Sequence, residues 1–325
     1  MIDNIFANAR AVAEENGLLG IDRLNRMADS ASPEEAFKVL SEVNFGEGVA
    51  ADASDYERAV EAEERKLALF IREVSPDEKL KIFLLAENDY HNAEAIVRAK
   101  YLKIDFSPML TAEGLYTSEY LKDKIFADDY KSFSPVLAEA LLTADNLFVS
   151  MKADGKTLSA LFRCALYKEL AAAAKTDKTL SAIFSAKADA ANIAVALRAR
   201  NIFECEQMRV TGGTLTDSEL KFLCDENAES IKEKFRYSAL KAFIDRAAED
   251  LAKNRPLSDF EKYADGYALA LLKKEKYSDE GYRPFLRYCY YKRAEIKNVR
   301  IVMSCLVNGI DGGFIKERIR ESYEG

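Results

Sequence analysis

The chain has 325 residues, 47 basic and 55 acidic, with a formal net charge of −8 at pH 7. The two signs are interleaved along most segments, which argues against a nucleic-acid binder or a polybasic membrane patch, because both need a concentration of Lys and Arg. The length exceeds what one hydrophobic core usually serves and suggests two or three domains. Helix-forming residues are abundant, Pro is scarce and Trp is absent, so the composition predicts a helical protein.

The same composition gives expectations about location and redox chemistry. No apolar run approaches the roughly 20 residues that span a bilayer, and the N-terminal segment lacks the pattern of a signal sequence. We therefore expect a cytosolic protein with no membrane span. The five cysteines show no CxxC spacing, which gives little support to a metal or disulfide site and indicates buried thiols. They are Cys164, Cys205, Cys224, Cys289 and Cys305.

The predicted elements of the first hundred residues are helices. In SPEEAFKVLSEV, Ser32 is a candidate N-cap and Pro33 suits the first turn. Residues 54–74 carry apolar side chains at spacings of three and four, and this run ends before Ser75-Pro76. A longer helix opens near Asp77 and continues to about residue 102. We call this helix the first spine.

Two further helix pairs follow in the same order. Residues 158–174 precede a second spine at 179–200, and residues 260–278 precede a third spine at 282–306. No run of alternating apolar and polar residues is long enough to indicate a strand. The sequence therefore predicts an all-α fold.

The spines carry a repeated phrase. It reads NDYHNAEAIVRAKYL around residue 90, KADAANIAVALRARNI around residue 190 and RAEIKNVRIVMSCLVNG around residue 296, and each copy is followed by a Gly-containing turn and a new amphipathic run. Solenoid repeats have periods of roughly 20 to 50 residues, so a period of about one hundred indicates triplication of a whole domain rather than chance similarity of Ala-rich helices. We predict three similar helical domains: 1–118, 119–218 and 219–325.

The repeated polar residues are the main candidates for a specific role. An acid and an Asn three positions apart share one helix face, and a buried Asn needs hydrogen-bond partners, so we interpret the pair as a structural polar clamp on a neighbouring helix end or loop. In the first two copies an Arg follows the Asn by six positions, Arg98 and Arg198, and it cannot lie on that line, so we expect it to contact another helix or a partner. Each copy has one carboxylate, with no His or Cys in register, which disfavours a metal site. The signature comprises Asp89, Asn92, Arg98, Asp189, Asn192, Arg198, Glu295, Asn298 and Arg300.

Other motifs do not form a recognisable active site. The GKT at 155–157 resembles the end of a phosphate-binding loop, but Ser150 stands where that loop needs Gly. His91 is the only histidine, which excludes a His-based triad or a two-His metal site. Asp128-Asp129 is interpreted as a solvated turn, and the tyrosines at 288, 290 and 291 as part of a core. We predict no catalytic, cofactor-binding or metal-binding residues.

The residues nevertheless resemble a known family. The third copy, YYKRAEIKNVRIVMSCLVNGIDGGFIKERIRESY, is similar to the C-terminal pattern of the V-type and A-type ATPase subunit called C in bacteria and archaea and d in eukaryotes. The N-terminal FANARAVAEENGLLGIDRLNRM resembles the opening of that family, where an aromatic residue precedes Ala-Arg and a Leu-Leu pair. The first two phrases lie where the domain repeats of the family would place them, so the resemblance extends over nearly the whole chain.

The resemblance implies a non-catalytic rotor subunit without cofactor. Members of this family form a funnel of three helical domains around a pseudo-threefold axis. They couple the central stalk to the membrane proteolipid ring and transmit torque between ATP hydrolysis or synthesis and proton or sodium transport. The protein would be cytoplasmic and peripherally associated with the membrane. Two alternatives remain: a helical scaffold unrelated to ATPases, and an all-helical enzyme, which would need titratable groups converging in one cavity.

Overall fold

The computed structural model describes residues 2–274 and 281–324, and within these ranges the chain is helical with no β-strand. The all-α prediction is thus confirmed. The helices are α1 (Asn4–Glu15), α2 (Gly20–Ala28), α3 (Pro33–Glu42), α4 (Tyr56–Val74), α5 (Glu78–Leu102), α6 (Ser118–Phe126), α7 (Pro135–Val149), α8 (Gly155–Ala174), α9 (Lys178–Ala199), α10 (Ile202–Met208), α11 (Asp217–Asp225), α12 (Ala228–Lys234), α13 (Lys241–Ala252), α14 (Ser258–Lys274), α15 (Arg283–Val307) and α16 (Gly312–Arg318).

The chain divides into two compact units. The first combines Met1–Asp77 with Asp245–Gly325, and the second is Glu78–Ile244. The boundaries predicted at 118 and 218 both fall within the second unit. The organisation into three domains around a pseudo-threefold axis stays a prediction.

The second unit contains two of the predicted spines, α5 and α9. Helix α5 packs against α6, α7 and α8, and α9 packs against α8, α10 and α11. Thr216 begins α11 with a capping box, because its side chain accepts from the Glu219 N–H while the Glu219 side chain accepts from the Thr216 N–H. These contacts leave the middle of each spine surrounded by other helices.

The first unit is organised around the third spine, α15. This helix packs against α1, α2, α4 and α14. The Phe70 ring of α4 stacks on Phe285 with centroids 5.6 Å apart and meets Tyr288 edge-on at 5.1 Å. Aromatic pairs of this geometry add to the stability that their burial gives. The first unit thus joins the two ends of the sequence in one core.

Several local predictions are confirmed. The Ser32 side chain accepts from the Glu35 N–H and caps α3, with Pro33 in the first turn. Helix α4 ends at Val74, before Ser75-Pro76. All three spines are single helices, although residues 275–278 of the run before the third spine lie outside the described residues. The GKT segment forms the first turn of α8, and Asp154 caps this helix because its side chain accepts from the Thr157 N–H.

Helix α9 has an additional property. Within the described parts of the chain it is the one helix that is long and apolar enough to cross a membrane, and 61% of its apolar window is buried inside the protein. Its neighbours α8, α10 and α11 account for that burial. Such apolar composition is also typical of the central helix of a water-soluble core.

Candidate functional site

The first repeat phrase forms a polar clamp on the loop that follows α5. The Asp89 carboxylate, 1% exposed, accepts hydrogen bonds from the N–H groups of Leu115 at 2.8 Å and Tyr116 at 3.1 Å. The Asn92 Oδ1 accepts from the Thr111 N–H at 2.9 Å. A carboxylate and an amide one turn apart thereby bind successive parts of one loop.

The second phrase makes the same arrangement after α9. The Asp189 Oδ1 accepts from the N–H groups of Thr214 at 2.6 Å and Leu215 at 3.0 Å. The Asn192 side chain accepts from the Val210 N–H at 2.9 Å and donates to the Val210 carbonyl at 3.1 Å. Burial raises the pKa of Asp189, although the hydrogen bonds from Thr214 and Leu215 oppose the rise.

A glycine lets each loop approach its aspartate. A Cβ added at Gly114 would lie 2.3 Å from the Asp89 Oδ1, and one added at Gly213 would lie 2.3 Å from the Asp189 Oδ1. Gly213 also has a φ of +82°, a conformation that other residues adopt rarely. The Gly-containing turns noted in the sequence therefore have a steric cause in the first two copies.

In the third phrase the Asn keeps its role. The Asn298 Oδ1 accepts from the Arg320 N–H at 2.7 Å, and its Nδ2 donates to the Arg320 carbonyl at 3.1 Å and to the Ser322 hydroxyl at 2.9 Å. Asn298 is fully buried. Each of the three asparagines thus binds both the N–H and the carbonyl groups of the segment that follows its spine.

The acid of the third phrase has different partners. The Glu295 Oε2 accepts from the Leu19 N–H at 2.5 Å, immediately before α2, and its Oε1 accepts from the Lys292 Nζ at 2.6 Å. The same Nζ lies 2.6 Å from the Glu63 Oε2, and the Glu63 Oε1 accepts from the Gly46 N–H at 2.9 Å. We call Glu63, Lys292 and Glu295 the ionic triad.

The ionic triad is buried, with residue exposures of 2%, 7% and 3% for Glu63, Lys292 and Glu295. Burial opposes the charge of Lys292, but the Glu295 and Glu63 carboxylates outweigh burial and raise its pKa. Burial also raises the pKa of Glu295, against the attraction of the Lys292 ammonium. The two carboxylates depend on the ammonium that they share, since without Lys292 both would be buried with no counter-ion.

The arginines of the signature contact different surroundings. Arg98 forms an ion pair with Glu94 and donates to the Gly155 carbonyl at 2.9 Å at the start of α8. Arg300 pairs with Glu57 at 3.1 Å and Glu64 at 3.0 Å, both on α4. Arg198 lies exposed near the end of α9. The structure therefore joins the acid and the Asn on one following loop in the first two copies only, and it places the arginines elsewhere.

The other residues considered from the sequence lie outside these clamps. The exposed His91 ring contacts the Met109 carbonyl with its Nε2 at 2.9 Å. Asp128 and Asp129 lie in the turn after α6, where they pair with Lys100 and Lys124. Four cysteines are buried and Cys164 is partly exposed, all as free thiols. No group of three or more His, Cys, Asp or Glu side chains within 2–274 and 281–324 could hold a metal ion.

Sequence reasoning missed Glu63 and Lys292. Glu63 lies in α4 at helical spacing from the buried Val60 and Leu67, so a charge on an apolar face was the available signal. Lys292 precedes Glu295 by three positions on the same spine, the spacing of a helical ion pair. Neither signal identifies the partner, because Glu63 and Lys292 are far apart in sequence.

Comparison with known proteins gives a family match along nearly the whole chain. The family model described as ATP synthase (C/AC39) subunit matches residues 7–318. No curated protein matches the chain. The family match agrees with the resemblance noted in the sequence and removes the alternative of a scaffold unrelated to ATPases.

Proposed function

The chain belongs to the ATP synthase (C/AC39) subunit family, and from this premise we propose that it is a non-catalytic rotor subunit. In this proposal it couples the central stalk to the membrane proteolipid ring. It transmits torque between ATP hydrolysis or synthesis and proton or sodium transport. It stays on the cytoplasmic side, held to the membrane through the complex.

The observation that carries the proposal is the exposure of apolar residues at the C-terminal end of every spine. Leu102, the last residue of α5, and Ile104 are 57% and 42% exposed, and Phe203 just after α9 is 66% exposed. At and after the end of α15 the exposed apolar residues are Val307, Ile310 and Phe314. We call these residues the spine ends. Clustered apolar residues on a protein surface typically mark an interaction site.

In the second unit the apolar surface extends beyond the spines. The Tyr101 ring at the end of α5 stacks on Phe148 at the end of α7, with centroids 4.4 Å apart. Val149 and Met151, which follow Phe148, are 74% and 93% exposed. Lys156 near the start of α8 pairs at 2.8 Å with Glu204, beside Phe203. These contacts collect several exposed apolar side chains at one end of this unit.

A ring of identical subunits suits this repetition. Each copy of the repeat would offer its spine end to the same kind of partner surface, a loop of a proteolipid subunit. The internal helices would carry torque, because interiors packed at near-crystal density transmit strain with little compliance. In this proposal the central stalk would contact polar and charged residues on other surfaces of the chain.

The proposal is tested by a pull-down with the tagged protein from detergent-solubilised membranes of its own source, with mass spectrometry of the co-purified proteins. We expect the proteolipid ring and central-stalk subunits to be recovered. Their absence, with the catalytic head and the ring present in the extract, would overturn the rotor role.

Charge substitutions separate the ring surface from the rest. Leu102→Glu, Phe203→Glu and Ile310→Glu in one variant should lose the ring while keeping the stalk, because each change puts a carboxylate into an apolar interface. Leu69→Glu and Tyr237→Glu are matched controls, since both positions are exposed, at 46% and 86%, and lie outside the spine ends. Ring recovery that is unchanged in the first variant would contradict the assignment of the spine ends.

A further inference from the structure

A cleft of about 530 Å³ lies within the first unit. Its walls come from α13, α14 and the segment after α16, and its lining includes Arg246, Asp259, Lys262, Tyr263, Tyr267 and Glu321. The volume falls in the range of small-ligand sites in proteins. No part of the rotor proposal uses this cleft.

Most charges around the cleft are neutralised by neighbours. Glu321 pairs with Lys273 at 2.6 Å, and the Arg320 Nε donates to Asp265 at 3.1 Å. These two pairs leave Arg246, Lys262 and Asp259 as the remaining charges of the cleft wall.

Two of these remaining charges are cations without a carboxylate partner. The Arg246 guanidinium lies over the Tyr263 ring at 4.7 Å, and the Lys262 Nζ donates to the Glu317 carbonyl at 2.6 Å. Neither cation forms an ion pair with any residue that the structure describes. Burial lowers the pKa of Lys262, and the nearby Arg320 guanidinium lowers it further. With Glu321 neutralised by Lys273, the two cations of the wall therefore face only one other carboxylate of the lining, Asp259.

The C-terminal wall is held in place by the third polar clamp. Asn298 binds the backbone N–H and carbonyl of Arg320, and the preceding Ile319 is 5% exposed. With the segment held in this position, the Arg320 Nε donates to the Asp265 carboxylate and the Glu321 side chain lines the cleft. The Ile-Arg-Glu sequence at 319–321 thus helps to form the C-terminal wall of the cleft.

The rest of the cleft lining is mainly apolar, and Gly266 contributes no side chain to fill the cleft. Tyr263 and Tyr267 are one helical turn apart on α14, with Ala270 and Leu271 beyond them. Gly266 lies between the tyrosines, and a Cβ added there would be 3.6 Å from the Glu321 Oε2, an ordinary contact. A side chain at this position would therefore project into the cleft without displacing the backbone.

We propose that this cleft binds a carboxylate carried on an apolar body. The carboxylate would meet the Arg246 guanidinium, whose planar fork matches two carboxylate oxygens, with the Lys262 ammonium beside it. The apolar body would lie against Tyr267 and Leu271. Two sources supply this chemistry: a free organic acid, or an acidic side chain within an apolar segment of a partner polypeptide.

Saturation-transfer NMR on the full chain tests the site with two named probes. The free acid is 4-phenylbutyrate, with 4-phenylbutyramide as its neutral control, and the peptide is acetyl-Leu-Glu-Leu-amide, with acetyl-Leu-Gln-Leu-amide as its control. We expect at least one carboxylate probe to bind and its amide control to bind about tenfold more weakly or not at all. The carboxylate probe that binds more tightly identifies the source.

Three variants locate the binding. Arg246→Gln removes the guanidinium and Gly266→Leu fills the cleft, and each should weaken the carboxylate probe by about tenfold or more. Arg236→Gln is the matched control, because its guanidinium also covers a tyrosine ring, Tyr237 at 4.4 Å, but outside the cleft. Unchanged melting temperatures verify that the variants fold. The proposal is overturned if neither carboxylate binds, if the amides bind equally well, or if Arg246→Gln and Gly266→Leu leave binding unchanged.

Discussion

The acid in the first two repeat phrases and the acid in the third occupy the same place in their spines but stabilise different structures. Asp89 and Asp189 accept from backbone N–H groups of the loop that follows their own helix. Glu295 instead accepts from the Leu19 N–H and from Lys292. The asparagine three positions later binds the following segment in all three copies. Across the three copies, the asparagine thus keeps its hydrogen-bonding role while the partners of the acid change.

The difference has a steric basis. The loops of the first two copies carry Gly114 and Gly213, which leave no room for a Cβ beside the aspartate. Asn298 binds Arg320, 22 residues later, whereas Asn192 binds Val210, 18 residues later. The third copy therefore brings a more distant segment to its asparagine, and the longer glutamate side chain reaches the N-terminal region instead.

The largest expected effect comes from removing the cation of the ionic triad. Lys292→Ala leaves the buried Glu63 and Glu295 without their counter-ion, and we expect it to lower the free energy of unfolding by about 3–5 kcal/mol. Urea denaturation monitored by circular dichroism measures the change. A Lys292→Met variant combined with Glu63→Gln and Glu295→Gln should recover part of the loss, because no charge is then left unpaired. A loss below about 1 kcal/mol for Lys292→Ala would show that the triad contributes little.

A smaller effect should follow from closing the space beside an aspartate. Gly213→Ala places a Cβ 2.3 Å from the Asp189 Oδ1 in a residue with positive φ, so the loop must move away from the carboxylate. We expect a loss of about 1–3 kcal/mol in the free energy of unfolding. Gly48→Ala serves as the control, since Gly48 also has a positive φ, of +73°, but no atom within 4 Å of the added Cβ. Equal losses in the two variants would mean that backbone conformation alone requires the glycine at 213.

The loss of stability on replacing an asparagine should depend on how deeply the backbone groups that it binds are buried. Asn192→Ala leaves the N–H and carbonyl of Val210 unpaired in the core, where Val210 is 1% exposed, at a cost of about 1–3 kcal/mol. Asn92→Ala frees the backbone of Thr111, an exposed residue that water can reach. We therefore expect the smaller loss for Asn92→Ala in thermal denaturation. The reverse order would contradict this explanation by burial.

The smallest expected effect is a pH dependence of the unfolding free energy that arises from a cysteine on the third spine. Cys289 is fully buried, nine positions before Asn298, where the other spines have the buried and non-titrating Phe83 and Ile183. Burial raises the pKa of Cys289 from 9.0 to about 12. A raised folded-state pKa means that the thiol contributes full stability below pH 9 and loses it as the pH rises from 9 toward 12.

Between pH 8 and 10, this thiol should therefore account for about 1 kcal/mol of lost unfolding free energy. The Cys289→Ala variant should lose that much less than the wild type over the same interval, whatever its stability at pH 8. Parallel losses in the two proteins would show that Cys289 does not titrate on unfolding.

The sequence was sufficient to locate several helices and to single out the repeated polar residues. Periodicity and capping residues located α3, α4 and the three spines, because Ser32, Pro33 and Ser75-Pro76 act locally. The repeated acid and Asn also indicated a polar contact with a following loop. Such contacts are predictable when the partner segment follows the helix within a short stretch of chain, as Val210 follows Asn192 by 18 residues.

The ionic triad and the cleft could not be predicted in the same way. Glu63, Lys292 and Leu19 meet Glu295 only because both ends of the sequence fold into one unit, and no local pattern encodes that meeting. The division into two units likewise depends on contacts between α15 and the N-terminal helices. The repeated acid and Asn predicted the same clamp in every copy. Nothing in the sequence near Glu295 indicates that this acid has different partners.

The central claim, torque coupling, is tested most directly by comparing ATP hydrolysis with ion transport in membrane vesicles from cells lacking this chain. We predict that the catalytic head still hydrolyses ATP but drives no proton or sodium uptake, and that added wild-type protein restores uptake. The variant carrying Leu102→Glu, Phe203→Glu and Ile310→Glu should fail to restore it. ATP-driven ion uptake at full rate in the absence of the chain would contradict the account.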